Sequence, residues 1–329
     1  MKTKPVVGVT LGDAAGIGPE LVVKALQNAE IRQLATWVLI GDERVLQQGQ
    51  DAAGSSITYR SIDNVGQVDS ADDLYFIDLH NVPANAYTPG QLSVESGKAT
   101  GETLTYALKV AQNKQLDAVI YAPINKEALH SGGFHFQDEL HFFADLLECK
   151  EGFSEINVMD NLWVTRVTSH IALKDVSRLV TKERVARIIR FAHTTLTNAG
   201  IANPSIAVAA LNPHAGDGGL MGMEEIEEIR PAIQEAKQEG INVAGPYPAD
   251  TIFLRLKTDP FDCLVGMYHD QAQTGMKLMG FNRGVTVSGG LPVVITTPAH
   301  GTAFDIAGKG VADPGAMEQA MKLAVRLIG

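Results

Sequence analysis

Short apolar runs alternate along this chain with segments in which apolar residues recur at helical spacing. The segments 185–196 and 317–328 each place their apolar residues on one helical face. The apolar runs have the length and composition of buried strands, and they are Val6 to Thr10, Trp37 to Ile40, Ala118 to Tyr121, Asn161 to Thr168, Ile206 to Ala210, Cys263 to Tyr268 and Val293 to Thr297. This alternation predicts an α/β fold with a mostly parallel sheet covered by helices.

Size and composition indicate a folded protein of two domains. The 329 residues exceed the usual length of one domain, and 45% hydrophobic with 20% charged residues is typical of globular chains. The net charge of −11 opposes binding to a phosphate backbone, so we expect no nucleic-acid partner.

Cysteine content and hydropathy favour the cytoplasm. Cys149 and Cys263 are far apart and form no CxxC pair, so neither a disulfide framework nor a thiolate zinc site is predicted. The first apolar run is too short for the core of a signal peptide. No stretch approaches the ~20 apolar residues that span a bilayer, so we expect no membrane association.

Three of the nine histidines, His170, His214 and His269, each follow a predicted strand. Ligands of parallel sheets bind beyond the carboxyl ends of the strands, and imidazole is a common ligand of zinc, nickel and cobalt. These residues therefore predict a divalent metal site, in which Asp270 could orient an imidazole. Three unrelated loop histidines remain the alternative, because the spacing by itself is not diagnostic.

Two glycine-rich segments flank predicted elements and suit a ligand. Residues 12–20, GDAAGIGPE, follow the first strand and open a helix, yet match neither GxGxxG nor a P-loop. A tight strand-to-helix turn explains them equally well. Residues 298–314 form a loop longer than is usual in a compact domain, which indicates a functional role.

Six segments occur in this order along the chain: GDAAGIGPE, APINKEALH, TSHIALKDV, LNPHAGDGGLMG, YHDQ with Lys277, and HGTAFDIAGKGVADP. Together and in this order they resemble the 4-hydroxythreonine-4-phosphate dehydrogenase family, NAD-dependent enzymes of pyridoxal phosphate biosynthesis. The first and last also resemble isopropylmalate and isocitrate dehydrogenases. The resemblance implies two α/β/α domains with a cleft between them. Residues 1–129 with 285–329 would carry the NAD loop, and 130–284 would form the metal- and dimer-forming domain.

The resemblance also implies roles for individual residues. His170, His214 and His269 match the family's metal ligands, one of which reaches across from the partner of a homodimer with a shared active site. Lys277 matches a substrate-contacting lysine. The expected cofactors are NAD, or NADP, and zinc, cobalt, nickel, manganese or magnesium. The residues matching the nucleotide site are Gly12, His300, Gly301, Thr302, Ala303, Asp305 and Lys309.

Departures from the family pattern fall on substrate contacts. The family has Gly-His-Thr-Glu where this chain has residues 138–141, so Glu139 and Leu140 replace a histidine and a threonine. Thr286 and Ile295 stand where the family has asparagine and arginine, and isoleucine cannot bind phosphate. Either the substrate is unphosphorylated, or Arg283, Lys277 and backbone amides hold its phosphate.

The implied reaction is oxidation of a 3-hydroxy acid, followed by decarboxylation of the 3-oxo product. Lys126 is our preferred proton acceptor, because a nearby metal ion favours the neutral amine, and Asp270 and Asp250 are alternatives. Histidines 130, 135 and 141 could suggest a second metal site, but a solvated segment explains them more simply.

Several functional alternatives stay open. The same chemistry could act on phosphorylated threonate or erythronate, an unphosphorylated hydroxy acid or a dihydrodiol carboxylate. A metal-dependent hydrolase could use the same imidazoles, but it would not need the loop HGTAFDIAGKG. A non-catalytic metabolite sensor would have no reason to keep all three histidines and Lys277.

Overall fold

The computed structural model describes residues 4–69, 71–280 and 283–329. The chain divides into two compact units, of which unit 1 comprises residues 4–153 and 283–329 and unit 2 comprises residues 154–280. Unit 2 is therefore an insertion in the sequence of unit 1. No helix among the described residues is both long enough and apolar enough to cross a bilayer.

Unit 1 is built on a mostly parallel sheet whose strand order is β3-β4-β2-β1-β5-β12-β11. Strands β11 and β12 pair in the antiparallel sense. The strands are β1 (Val6–Thr10), β2 (Thr36–Gly41), β3 (Arg60–Ser61), β4 (Leu74–Asp78), β5 (Ala118–Tyr121), β11 (Val285–Gly289) and β12 (Val294–Pro298). The helices are α1 (Gly18–Gln27), α2 (Ala29–Leu34), α3 (Glu43–Ala53), α4 (Val94–Gln112), α5 (Lys126–Ser131), α6 (Glu139–Leu146) and α12 (Gly315–Ile328).

Helices α4 and α6 pack on this sheet through one apolar cluster. Leu104 and Leu108 of α4 meet Phe142 and Phe143 of α6 in this core, and the ring of Phe143 lies edge-on to that of Tyr121 at 5.3 Å. Burying such side chains is worth ~2 kcal/mol each. This packing places residues 130–153 in unit 1, whereas the sequence interpretation assigned them to the second domain.

Unit 2 has a sheet of strand order β6-β7-β10-β8-β9. Strands β7, β10, β8 and β9 are parallel neighbours, and β6 pairs with β7 in the antiparallel sense. The strands are β6 (Ser154–Met159), β7 (Leu162–Arg166), β8 (Ile206–Ala209), β9 (Val243–Tyr247) and β10 (Cys263–Gly266). The helices are α7 (Val176–Leu179), α8 (Lys182–Asn198), α9 (Arg230–Gln238), α10 (Ile252–Arg255) and α11 (His269–Gly280).

Every strand predicted from the sequence is present, with ends that differ by at most two residues. The prediction missed β3, β4, β6, β9 and β11. Two predicted strands of unit 2 were also too long, because β7 ends at Arg166 and β10 ends at Gly266. The residues beyond those ends instead form the loops and the helix start that carry histidines.

Candidate active site

Three neighbouring strands of unit 2 bring the predicted metal ligands to one edge of the sheet. Strand β10 lies between β7 and β8, and all three run in the same direction. His170 follows β7, His214 follows β8, and His269 begins α11 just after β10. Parallel topology therefore directs all three histidine-bearing segments to the carboxyl ends of adjacent strands.

His170 and His269 are close together. Their ring centroids lie 5.7 Å apart. Hydrogen bonds between the residues that follow β7 and β10 hold the two histidine-bearing segments together. The amide and the hydroxyl of Thr168 both donate to the carbonyl of Met267, at 3.1 and 2.8 Å. His170 follows Thr168 by two positions, and His269 follows Met267 by two positions. The two imidazoles therefore lie side by side.

Asp270 contacts one of these imidazoles. Its Oδ1 lies 2.7 Å from Nδ1 of His269, which leaves Nε2 of that ring for another ligand. A carboxylate that holds one ring nitrogen fixes the orientation and tautomer of a metal-binding histidine. The Asp270 side chain is 84% exposed. This geometry favours an orienting role for Asp270 over that of a proton acceptor.

His214 lies in an unusual left-handed turn, Pro213–Gly219. Its φ is +53°, and φ is also positive at Ala215 and Asp217. Left-handed backbone costs an L-residue ~1–2 kcal/mol, and such strain is concentrated at functional sites. His170 also has a positive φ, of +49°. Two of the three candidate ligands are thus held by strained backbone.

A buried carboxylate holds the start of this turn. Glu225 has no exposed surface, and its Oε1 accepts hydrogen bonds from the amides of Leu211 and Asn212, at 2.8 and 2.7 Å. Its Oε2 accepts a third bond from the Asn212 side chain. The sequence analysis missed Glu225, which is one of five glutamates in residues 224–235 and has no distinguishing local pattern.

Within the described part of one chain, no group of three or more His, Cys, Asp or Glu side chains is arranged to hold a metal. His170 and His269 suit two ligand positions, since their imidazoles lie close together and Asp270 orients that of His269. The donor set therefore fits a divalent ion in part, and the set of ligands is incomplete without a further donor.

The predicted cofactor segments of unit 1 also meet at the carboxyl ends of adjacent parallel strands. The Gly12 turn follows β1, Lys126 follows β5, and the loop that begins at residue 299 follows β12. The amide of Ile17 donates to the carbonyl of Thr302 at 3.0 Å. A Cβ on Gly12, whose φ is +74°, would lie 2.5 Å from the carbonyl oxygen of Pro123. The turn therefore requires glycine here.

A buried ion pair fastens the far end of the glycine-rich loop. Lys24 Nζ lies 2.7 Å from Glu20 Oε1 and donates to the carbonyls of Gly310 and Ala312, both at 2.9 Å. The amide of Ala312 donates to the same Glu20 oxygen at 2.8 Å. Helix α1 thus holds the loop that contains the predicted nucleotide contacts Asp305 and Lys309, both of which are exposed.

Lys126 and Glu139 form an ion pair in unit 1. Lys126 Nζ lies 3.1 Å from Glu139 Oε2, and the carboxylate is the more buried partner, with 13% of its side chain exposed. Glu139 thus contacts the predicted proton acceptor. The neighbouring Leu140 is buried, with 6% of its surface exposed, so its side chain is not accessible to a ligand.

The structure changes the interpretation of the missing phosphate anchor. Ile295 lies in β12 with no exposed surface and packs in the core of unit 1. A ligand cannot reach that side chain, so an arginine there would be buried in the core. Thr286 is half-buried, whereas Lys277 and Arg283 are exposed. Both cations therefore lie at the surface, unlike Ile295.

The histidines of residues 130–141 do not form one cluster. His130 Nε2 and His135 Nδ1 lie 3.2 Å apart at the surface, as in a hydrogen-bonded imidazole pair. His141 instead pairs with Asp138, at 2.6 Å between Nδ1 and Oδ1. Asp138 also caps α6, since it accepts a hydrogen bond from the His141 amide at 2.9 Å.

Asp13, next to Gly12, is a buried carboxyl with incomplete hydrogen bonding. Its Oδ1 accepts bonds from the Ser96 hydroxyl at 2.6 Å and from the Ala15 amide at 2.9 Å, while Oδ2 has no partner among the described residues. Burial raises the pKa of Asp13 above its usual value, and these hydrogen bonds oppose that rise.

Sequence comparisons agree over nearly the whole chain. The profile of a family described as "Pyridoxal phosphate biosynthetic protein PdxA" matches residues 33–324. A Pseudomonas aeruginosa protein, provisionally named as a second 4-hydroxythreonine-4-phosphate dehydrogenase, is 47% identical over 328 residues, which cover 98% of this chain and 97% of that one. A D-threonate 4-phosphate dehydrogenase of Cupriavidus necator is 40% identical, with 98% and 97% covered.

Comparison with solved structures gives the same result. The crystal structure of a 4-hydroxythreonine-4-phosphate dehydrogenase from Burkholderia phymatum has a TM-score of 0.83 and 40% identity, with 99% of each chain covered. An isocitrate dehydrogenase from Methylococcus capsulatus, at 16% identity and a TM-score of 0.51, shares the fold; the match covers 99% of this chain and 86% of that one. The predicted isocitrate dehydrogenase-like fold class is confirmed.

Proposed function

The chain belongs to the PdxA family, and we propose that it is an NAD-linked dehydrogenase that oxidises a secondary hydroxyl of a phosphorylated four-carbon hydroxy acid. The observation that carries the proposal is identity of 40–47% over nearly the whole chain to proteins named as dehydrogenases of 4-hydroxythreonine 4-phosphate and D-threonate 4-phosphate. Both names describe an acid with a hydroxyl at C3 and a phosphate at C4.

A phosphorylated substrate is compatible with the residues of this chain. The apolar Ile295 lies in the core and does not bear on phosphate binding. Lys277 and Arg283 are exposed cations, and a guanidinium or ammonium stabilises a phosphate dianion by charge-assisted hydrogen bonds. We infer that a cationic side chain such as that of Lys277, rather than a residue of β12, meets the phosphate.

We assign the nucleotide and the metal ion to the following residues. In unit 1, the loop from His300 to Lys309, with Gly301, Thr302, Ala303 and Asp305, and the Gly12 turn would hold the nucleotide. In unit 2, His170 and His269 would hold a divalent ion such as zinc, with Asp270 orienting His269. When bound, NAD supplies the hydride acceptor and the divalent ion supplies Lewis acidity for oxidation and decarboxylation.

Lys126 is the proposed proton acceptor. Nζ of Lys126 would take the proton of the C3 hydroxyl, and the Glu139 carboxylate at 3.1 Å would stabilise the ammonium that results. Asp270 is less suited to this task because its carboxylate already contacts His269. Oxidation at C3 gives a 3-oxo acid, whose carboxylate leaves as carbon dioxide.

A second copy of this chain would complete the site. Large apolar side chains near the histidine-bearing loops are exposed, among them Leu173 at 71% and Leu220 at 80%. Apolar surface of this kind marks association sites, and the ligand set within one described chain is incomplete. We infer a homodimer in which His214, in its left-handed turn, or another donor is contributed across the interface.

Nucleic acid and membranes have no place in this proposal, and we place the enzyme in the cytoplasm. The net charge of −11 opposes nucleic-acid binding. Both cysteines are free thiols, as is usual in reducing compartments.

The proposal is tested by following formation of reduced nicotinamide when metal-loaded protein meets NAD or NADP and a panel of acids. The panel contains 4-hydroxythreonine 4-phosphate, D-threonate 4-phosphate, erythronate 4-phosphate and their unphosphorylated forms. We expect turnover of at least one phosphorylated acid with NAD, its loss after chelation, and its loss in His170→Ala. No turnover of any phosphorylated acid would contradict the proposal, and turnover of only unphosphorylated acids would assign a different substrate class.

The shared site is tested separately. Sedimentation should show a dimer, and Leu220→Asp should yield monomers that bind the metal weakly. Mixing His170→Ala and His214→Ala variants should restore part of the activity if the two residues serve one site from different subunits. A monomeric wild-type protein with full activity would contradict this part of the proposal.

A further inference from the structure

Unit 2 contains a buried charge that the proposed reaction does not use. The side chain of Arg166, at the end of β7, is only 3% exposed. An isolated charge in a protein interior is strongly unfavourable, so a buried guanidinium persists only when its donors are paired. Arg166 interrupts the apolar run Leu162 to Val167, and nothing in the proposed chemistry places it in contact with substrate or cofactor.

The partners of Arg166 come from β6 and from the loop after β7. Its Nη2 donates to the carboxylate of Glu155, which neutralises the charge. Its Nη1 donates to Asn157 Oδ1 at 2.8 Å, and its Nε donates to Ser169 Oγ at 2.9 Å. All three donor nitrogens of the guanidinium therefore have an acceptor.

One branch of this network ends at the first candidate ligand. Ser169 directly precedes His170, whose φ of +49° is costly for an L-residue. The hydrogen bond from Arg166 fixes the residue before this strained position. Its loss would allow the loop to relax and the imidazole to turn away.

The other branch ends at the second candidate ligand. The side-chain amide of Gln273 donates to the same oxygen of Asn157 that accepts from Arg166. Gln273 is buried on α11 one helical turn after His269, which begins that helix. Asn157 therefore links β7, which precedes His170, to α11, which begins with His269, through hydrogen bonds to both elements.

We propose that Arg166 is a positioning residue that sets the separation and orientation of the His170 and His269 imidazoles, through Ser169 on one side and through Asn157 and Gln273 on the other. The inference rests on the proposed metal-dependent function. Residues that orient metal ligands from behind change metal affinity by ~10–100-fold when they are removed. The affinity of the protein for the metal should therefore depend on Arg166 and Gln273, although neither residue is a proposed metal ligand.

The test uses the full-length metal-free protein and titration with Co²⁺ or Zn²⁺ by calorimetry, with Tm measured for each variant. Ser169→Ala and Gln273→Leu each cut one branch while leaving the Arg166–Glu155 pair in place. Arg166→Lys keeps the charge, but its single nitrogen lacks the planar fork with which the guanidinium reaches Glu155, Asn157 and Ser169. Thr165→Val is the matched control, since this buried residue of β7 donates to the Glu155 carbonyl at 2.9 Å and leads to neither histidine.

We expect Ser169→Ala, Gln273→Leu and Arg166→Lys to weaken metal binding by at least ~10-fold, with Tm changes no larger than that of Thr165→Val. The KM for NAD should not change, because the proposed nucleotide loop belongs to unit 1. The inference is wrong if these variants bind metal as Thr165→Val does while His170→Ala has lost binding. If His170→Ala also binds like the wild type, the proposed metal site itself is wrong.

Discussion

Lys126 Nζ and Glu139 Oε2 lie 3.1 Å apart, so the proposed proton acceptor is paired with a carboxylate before any substrate arrives. By the resemblance described above, Glu139 stands where the family pattern has a histidine. The ion pair therefore joins a departure from that pattern to the residue that we propose for proton transfer.

This pair leads to a first prediction, on catalysis. Lys126→Met should lower kcat by ~100-fold or more, because general base catalysis contributes ~10²–10⁴-fold, while the KM for NAD stays unchanged. Glu139→Gln should lower kcat by less, since the lysine is retained. Steady-state kinetics with the best phosphorylated substrate measure both. Lys98→Met, at an exposed pair 3.9 Å from Glu102, is the control. Retention of a tenth of the activity by Lys126→Met would move the base to Asp250 or Asp270.

A second prediction concerns the nucleotide loop. Lys24→Met removes the donor that holds the carbonyls of Gly310 and Ala312 and leaves Glu20 buried without its cation. Hydrogen bonds to charged groups are worth ~1.5–3 kcal/mol, so the loop should loosen and the KM for NAD should rise ~10-fold or more. Metal affinity should not change. Lys322→Met, at a pair 3.9 Å from Glu30, is the control. Equal KM values for both variants would show that the loop does not bind the nucleotide.

A third prediction concerns pH and Asp13. Burial raises the pKa of this carboxyl in the folded state, so the folded protein binds the proton more tightly than the unfolded chain. The free energy of unfolding should therefore fall as pH rises from the unfolded value of ~3.9 through the higher folded value, and stay low above it.

Asp13→Asn removes the free-energy cost of burying an ionised carboxylate at this position. The variant should gain free energy of unfolding relative to the wild type at about pH 8, and the gain should shrink towards about pH 4. Urea unfolding at several pH values measures the difference. Asp145→Asn, at an exposed residue of α6, should show no such trend. A gain that is the same at all pH values would mean that the charge of Asp13 is not the cause.

A fourth prediction concerns backbone strain beside His214. Ala215 has φ +55° and ψ +42°, so Ala215→Gly should remove ~1 kcal/mol of strain, offset in part by the greater entropy of glycine in the unfolded chain. Ala215→Val should lower the free energy of unfolding by ~1 kcal/mol or more, because β-branched residues are disfavoured at positive φ. Ala209→Gly, in the extended strand β8, should destabilise. Destabilisation by Ala215→Gly of the same size as by Ala209→Gly would argue against strain.

The sequence predicted best those features that depend on continuous apolar runs. The runs at Val6 to Thr10 and Ala118 to Tyr121 are β1 and β5 to the residue, since a strand buried on both faces needs apolar residues throughout. Strand β9 was missed because Gly245 and Pro246 interrupt its pattern. Strand β6 was missed because it begins with two half-buried polar residues.

Other features depend on which partner a residue meets, and a local pattern does not contain that information. Phe142 and Phe143 would look the same in the core of either unit, so the domain boundary near residue 129 could not be placed. Ile295 stands where the family pattern has an arginine, yet its side chain is buried in the core. The sequence analysis did not single out Arg166, because the residues that it contacts are known only from the fold.

The order of the strands in unit 1 has a consequence for the way the chain is made. Strand β5 pairs with β1 on one side and with β12 on the other, and β12 in turn pairs with β11. During synthesis, β5 therefore leaves the ribosome with one edge unpaired. That edge stays unpaired until β12 has been synthesised. Unit 2 is continuous in sequence and emerges in between, so it can fold while unit 1 is still half-built. Premature termination before β12 would leave an open sheet edge, which is a site for aggregation.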